Sequence, residues 1–258
     1  MNTEPRRSRA IVLACAFLLV GALAPARAGG VDFLVPGMSL ESVSLVPGAR
    51  VSYLVVSKSF GAADSSFIEL RVLGHKGGAF YLEIVSSTYP RSKEESVTVR
   101  LRLAERVTSV TSPESFRSCL LEVVIKEGTG VFREPTAGEL DDMDIESIFL
   151  RPEDGLLRTP LASAKIAVPA GVFLCDGAEY SRDESRPVSL GGVQAQRVEE
   201  EKSRIWISRD VPLWGLVKST VEKKSRTIAA GVPASAARSR ETATESILLS
   251  YTKPRGRS

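Results

Sequence analysis

Few side chains in this chain are of the types that do chemistry, and their spacing says what each is suited to. Cys119 and Cys175 both fall in segments that read as strands. In an oxidising compartment two such cysteines can form a structural bridge, and otherwise they pack as small buried hydrophobes. The spacing leaves both open. No C-x-x-C pair is present, so thiol redox catalysis is not expected. His75 is the single histidine and lies in a glycine-flanked turn, Gly74-His75-Lys76-Gly77-Gly78. A Ser-His-Asp or Cys-His site would have to use it, and no G-x-S-x-G elbow accompanies it. One histidine and two distant strand cysteines do not make a local zinc cluster.

The densest acidic run, Glu139, Asp141, Asp142, Asp144 and Glu146, lacks the glycine of a calcium loop and reads as a solvated helix face. Trp206 and Trp214 are the aromatic candidates for an apolar ligand groove or an interface, and equally for packing in the core. Trp206 alternates with Ile205 and Ile207, so that strand is apolar on both faces and something must cover the second. No phosphate-cradling glycine loop, dinucleotide fingerprint or aromatic-interleaved basic patch occurs. No cofactor, no metal and no nucleic-acid partner is expected, and the chain does not read as an enzyme.

These residues need positioning elements, and the chain begins with a segment that is not one of them. Arg6, Arg7 and Arg9 precede the apolar run Ala10–Ala24, and Ala26-Arg27-Ala28 is a small-residue cleavage site. That is the pattern of a secretory signal peptide, residues 1–28. The run is shorter than the roughly 20 residues of a membrane-spanning helix, so the mature chain is expected to lack a transmembrane segment. The expected address is the periplasm, or the extracellular space. The whole chain has 34 Lys+Arg and 31 Asp+Glu. Removing Arg6, Arg7, Arg9, Arg27 and Glu4 leaves 30 of each and no net charge, so nothing global favours a polyanionic partner.

The remainder, 29–252, reads as one β-rich domain followed by a basic tail, 253–258. Val51–Val56, Phe67–Leu73 and Ala79–Ser86 are strands, the last two joined by the Gly77-Gly78 turn. Val97, Val99, Leu101 and Leu103 alternate with Thr98, Arg100 and Arg102, which predicts one buried and one basic face. Cys119, Leu121, Val123 and Ile125 predict another buried face. A short helix is expected over Glu139–Leu150. Val172–Tyr180, Arg204–Arg209 and Leu216–Val221 are further strands, interrupted at Val211-Pro212. The polar stretch 223–244 reads as a long mobile excursion before a last strand, Ser246–Tyr251.

Within this region, Pro169-Ala170-Gly171-Val172-Phe173-Leu174-Cys175 is followed by Trp206-Ile207-Ser208-Arg209-Asp210-Val211-Pro212-Leu213-Trp214-Gly215-Leu216-Val217-Lys218. The pair of motifs resembles the closing half of exported β-rich bacterial proteins, some of them similar in pattern to the half-barrel carriers of the LolA/LolB type. The resemblance implies a mainly β fold, one strongly curved antiparallel sheet of about ten strands, with a β-sandwich as the alternative. It also implies a non-catalytic role: binding an apolar or amphipathic ligand, lipid or lipoprotein-like, on the concave face near Trp206 and Trp214. The alternative is an envelope structural or protein-interaction module, with an envelope protein as partner.

Overall fold

The computed structural model describes residues 45–253, apart from 60–61, 110–112, 144, 146–155, 191–192, 232, 234–236 and 238. The expected signal peptide, the tail beyond 253 and most of the acidic end of the expected helix lie outside the described residues.

Ten strands form one antiparallel sheet: β1 (Arg50–Ser59), β2 (Ala62–Lys76), β3 (Ala79–Thr88), β4 (Val97–Ala104), β5 (Leu120–Glu127), β6 (Leu157–Val168), β7 (Gly171–Leu190), β8 (Val193–Ile207), β9 (Leu216–Ala229) and β10 (Ser239–Thr252). The order is β5-β4-β3-β2-β1-β10-β9-β8-β7-β6. Two five-stranded meanders are therefore joined through β1 and β10. The sheet does not close, because β5 and β6 each pair on one side only within it. It does curl: β6 touches β9 and β10, and the Ala170 amide donates to the Leu248 carbonyl at 3.4 Å. This is the curved single sheet expected, and not a sandwich of two sheets.

Alternation gives each strand an inner face. Val51 and Tyr53, Leu70 and Val72, Leu82 and Ile84, and Leu101 and Leu103 line it in the first meander. The register sets them side by side in rows such as Leu70–Ile84–Val99–Ile125. In the second meander the same face carries small residues. The row Ala178–Ile205–Ser219–Ser246–Val55 is buried throughout. Val107 from a 3-10 turn (Glu105–Ser109), Phe116 from α1 (Pro113–Arg117) and Ile145 join the core cluster, as do Val211, Leu213 and Trp214 from the turn 208–215.

Three expectations are corrected. Residues 223–229 and 239–244 are not an excursion but the continuation of β9 and the start of β10, paired through Lys224–Glu241 and Glu222–Ala243. Their polarity on both faces hid the strand period, and cross-strand pairs such as Lys224–Glu241 (2.9 Å) replace apolar burial. Leu121 is 51% exposed because a bulge against Arg102/Leu103 turns it out, while Cys119 and Ile125 stay buried. The helix α2 begins earlier and is shorter in what is described, Ala137–Met143. Thr136 and Glu139 form a reciprocal cap. The Glu139 amide donates to Thr136 Oγ1 at 3.3 Å and the Thr136 amide to Glu139 Oε2 at 2.7 Å. The Arg133 guanidinium and these Thr136 donors hold the Glu139 carboxyl at about 2, well below its usual range.

The turn 208–215 is the tightest in the core. Leu213 has φ 62° and Gly215 φ 73°. A Cβ at Gly215 would lie 2.8 Å from both Ile207 Cγ2 and Ser208 O. Gly215→Ala is expected to cost about 2–4 kcal/mol, combining left-handed strain with overpacking, read from the urea unfolding midpoint. Gly138→Ala, with open space at its Cβ position, should not destabilise by more than about 0.5 kcal/mol.

Candidate functional site

The sequence candidates do not converge. Trp214 is buried in the core cluster and Trp206 packs against it half-buried, with Ile205 buried beside it. The inner face that would have held an apolar ligand is occupied by Tyr53, Leu216 and Leu248, each fully buried. Cys119 and Cys175 are both buried free thiols, and no bridge joins them. Burial, then the neighbouring Asp176 charge, push the Cys175 thiol up. His75 stacks on Phe80 at 4.5 Å, and its Nε2 lies 3.7 Å from Glu105 Oε1. Among the described residues no three His, Cys, Asp or Glu side chains are arranged to hold a metal ion.

The structure assembles two other features. The first is on the β6–β7 hairpin. β7 pairs with β8 only from Asp176 onwards, and β6 carries a bulge between Leu161 and Ala164. Below these points the hairpin turns its other face inward. Ala178 and Tyr180 point to the core above, while Phe173 and Cys175 do so below. Phe173 meets Tyr251 edge-on at 5.7 Å. Val172 and Leu174 are consequently directed outward, each 67% exposed. Ala167 and Lys165 are their cross-strand neighbours. β6 is also an edge strand, guarded in its upper half by Pro160 and the bulge. The other edge, β5, is partly covered: Ile125 and Arg133 exchange both backbone hydrogen bonds, at 2.8 and 2.9 Å.

The second feature is the outer face of β2–β5. Arg100 is exposed as expected, with its guanidinium 4.1 Å from the Phe132 ring centroid, whereas Thr98 on the same face is buried. Two buried carboxylates organise this face. Glu69 is fully buried and pairs with Arg50 and Arg71, with Arg91 at 3.9 Å. Glu83 takes Arg71 at 3.1 Å and Arg100 at 2.9 Å. Arg91 also lies over the Phe67 ring at 4.9 Å, so Phe67 is buried on this side and not in the core row. Beside these pairs opens a cavity of about 320 Å³. A larger one of about 610 Å³ lies among the charged ends of β7–β10 and β1. There Lys224 pairs with Glu241, and its wall carries both signs of charge.

Sequence reasoning missed both features. The hairpin patch depends on a change of face within β7, and the outer cluster on a register that sets Arg71 opposite Glu83 and Glu83 opposite Arg100.

No family model matches the chain, and no curated protein matches it in sequence. Solved structures align with it, among them these three. A protein described as exported, with a YmcC-like fold, from Bacteroides fragilis covers 81% of this chain and 97% of its own, at 8% identity and a TM-score of 0.30. A protein described as a lipoprotein, from Parabacteroides distasonis, covers 85% and 100%, at 10% identity and 0.31. A DUF1329 family protein from Desulfovibrio piger covers 85% and 90%, at 7% identity and 0.31. Likeness of this depth carries no residue role and no activity across.

Two outcomes check the site chemistry. Both thiols should stay unmodified by a thiol reagent in the folded protein and react fully in denaturant. A folded-state mass lower by two hydrogens would show a bridge instead. Glu69→Gln should lower stability by about 1–3 kcal/mol in urea melts, since partly exposed arginines recover some hydration. Glu241→Gln, at an exposed pair, should cost under about 1 kcal/mol.

Proposed function

We propose that this protein is a non-catalytic interaction module of the cell envelope, exported by its N-terminal signal, and that the lower half of the β6–β7 hairpin is its docking element. The observation that supports this reading is the pair Val172 and Leu174, exposed side by side on an arm whose other face is fixed into the core by Phe173 and Cys175. An exposed apolar pair on a mobile loop would collapse or wander. Here the arm is held in place, so its outward face is presented at no further cost in ordering. The occupant is a partner protein with an apolar contact surface, since the patch consists of Ala167, Val172 and Leu174 with one cation, Lys165, at its border. Carrying an apolar molecule on the inner face has less support, because Tyr53, Trp214, Leu216 and Leu248 fill it.

A photo-cross-linking residue placed at 172 or 174 in the native cells tests this. Both positions should give one discrete adduct that the same residue at Leu121, exposed on β5, does not give. No adduct at either position, or the same adducts from position 121, would sink the reading. An adduct of twice the chain's own mass would replace the partner by a second copy.

A further inference from the structure

The outer face of β2–β5 holds more positive charge than its two carboxylates neutralise, and the excess surrounds the 320 Å³ cavity. Arg71 from β2, Arg91 and Lys93 from the β3–β4 loop, and Lys126 from β5 line it, with Glu83 as the only acidic side chain among its lining residues. Glu83 is already shared between Arg71 and Arg100. Arg71 and Arg91 are positioned by Glu69 beneath. Lys93 and Lys126 have no carboxylate partner among the described residues; Lys126 Nζ lies 5.2 Å from the Phe132 ring centroid. The carboxylates nearest in sequence are engaged elsewhere: Glu94 with Ser92 Oγ at 3.2 Å, Glu95 with Thr88 Oγ1 at 2.6 Å, and Glu127 with Arg133 at 2.8 Å. Ser96 and Thr98 add hydroxyls to the wall.

We propose that this cavity is a binding site for a phosphate-bearing ligand. Glu69 and Glu83 offset part of the charge of Arg71 and Arg91, while Lys93 and Lys126 bring charge to the same space with no carboxylate partner among the described residues until an anion enters. Arg91, held by Glu69 only at 3.9 Å, has a planar fork that matches phosphate oxygens in pairs, while Arg71, whose two terminal nitrogens already face Glu69 and Glu83, adds its charge. The two free lysines then supply point charges. With Glu69 beneath Arg71 and Arg91 counted beside Glu83, the four cations leave an excess of two positive charges, which suits a dianionic phosphate better than a single carboxylate. The volume stands at the lower end of small-molecule sites, which leaves room for part of the group that the phosphate esterifies. That group belongs either to a soluble phosphate ester or to a lipid headgroup at a membrane surface, and the chemistry at the cavity is the same.

The test is titration at low ionic strength with inorganic phosphate, glycerol 3-phosphate, and phosphatidylcholine vesicles with and without phosphatidic acid. Saturable binding is expected to at least one phosphate probe, weakening as salt is added. Binding of the soluble ester identifies a free ligand, and binding of the phosphatidic acid vesicles alone identifies a headgroup. The double variant Lys93→Gln, Lys126→Gln should bind about a hundredfold more weakly, about tenfold per lost charge-assisted contact, with its melting temperature retained. Lys58→Gln, Lys76→Gln, which removes two exposed lysines elsewhere, should bind as the parent does. No saturable binding to any phosphate probe would overturn the proposal, and so would an equal loss in both double variants.

Discussion

Everything in this molecule hangs on the ladder between β1 and β10. The two meanders are each built from hairpin neighbours, but they become one sheet only where Arg50–Ser59 pairs with Thr242–Thr252, some two hundred residues apart in sequence. The seam is reinforced on both faces. Ser52 and Ser250 share a hydroxyl hydrogen bond at 2.6 Å on the outer side. On the inner side the Tyr53 hydroxyl passes beneath β10 and donates to the Leu216 carbonyl at 3.1 Å, so that β1 grips β9 as well. Burial pushes the Tyr53 phenol far up, so it stays a neutral donor throughout the ordinary pH range.

Given that seam, the two halves solve the outer face differently. In the first half, the β3–β4 loop and the segment around Phe132 fold back over β2–β5, and partly bury charges beneath them. Glu69 and Glu83 survive there because each is met by two or three guanidinium groups, which share the desolvation cost and remain a third to a half exposed themselves. The second half carries no such cover over its described strands. Its long upper ends stay soluble through exposed ion pairs, each contributing little to stability. Its hairpin end, by contrast, keeps Val172 and Leu174 in the open.

What the sequence disclosed follows the same division. β4 was legible because one face is wholly apolar and the other is polar as far as Ala104. The β2–β3 turn was legible because Gly77 and Gly78 both take positive φ, as a two-residue hairpin turn requires. The strands of the second half were harder. Where the sheet curls, its inner positions are taken by Ser203, Ser219 and Ser246, small enough to fit and too polar to register in an apolar pattern. The paired carboxylates and arginines were invisible for another reason. Each sits on a different strand, and only the register brings Arg71 to Glu83 and Glu69 to Arg50. Trp206 and Trp214, the most conspicuous candidates, are conspicuous because they pack.

The seam also governs how the two assigned surfaces relate. The proposed phosphate site belongs to β2–β5 and the proposed docking hairpin to β6–β7, with β1, β10, β9 and β8 between them in one ladder. A hydrogen-bonded sheet of this kind has no hinge between its halves, and its inner face is packed as one cluster. Charge neutralised at Arg71 and Lys126 therefore has no two-state element through which to move the hairpin. The two surfaces should be thermodynamically independent, each adding its own free energy to a shared encounter. If both proposed surfaces are engaged at once, the gain comes from raised effective concentration and not from a change of shape. The separation of the two proposed surfaces is fixed by the β1–β10 register.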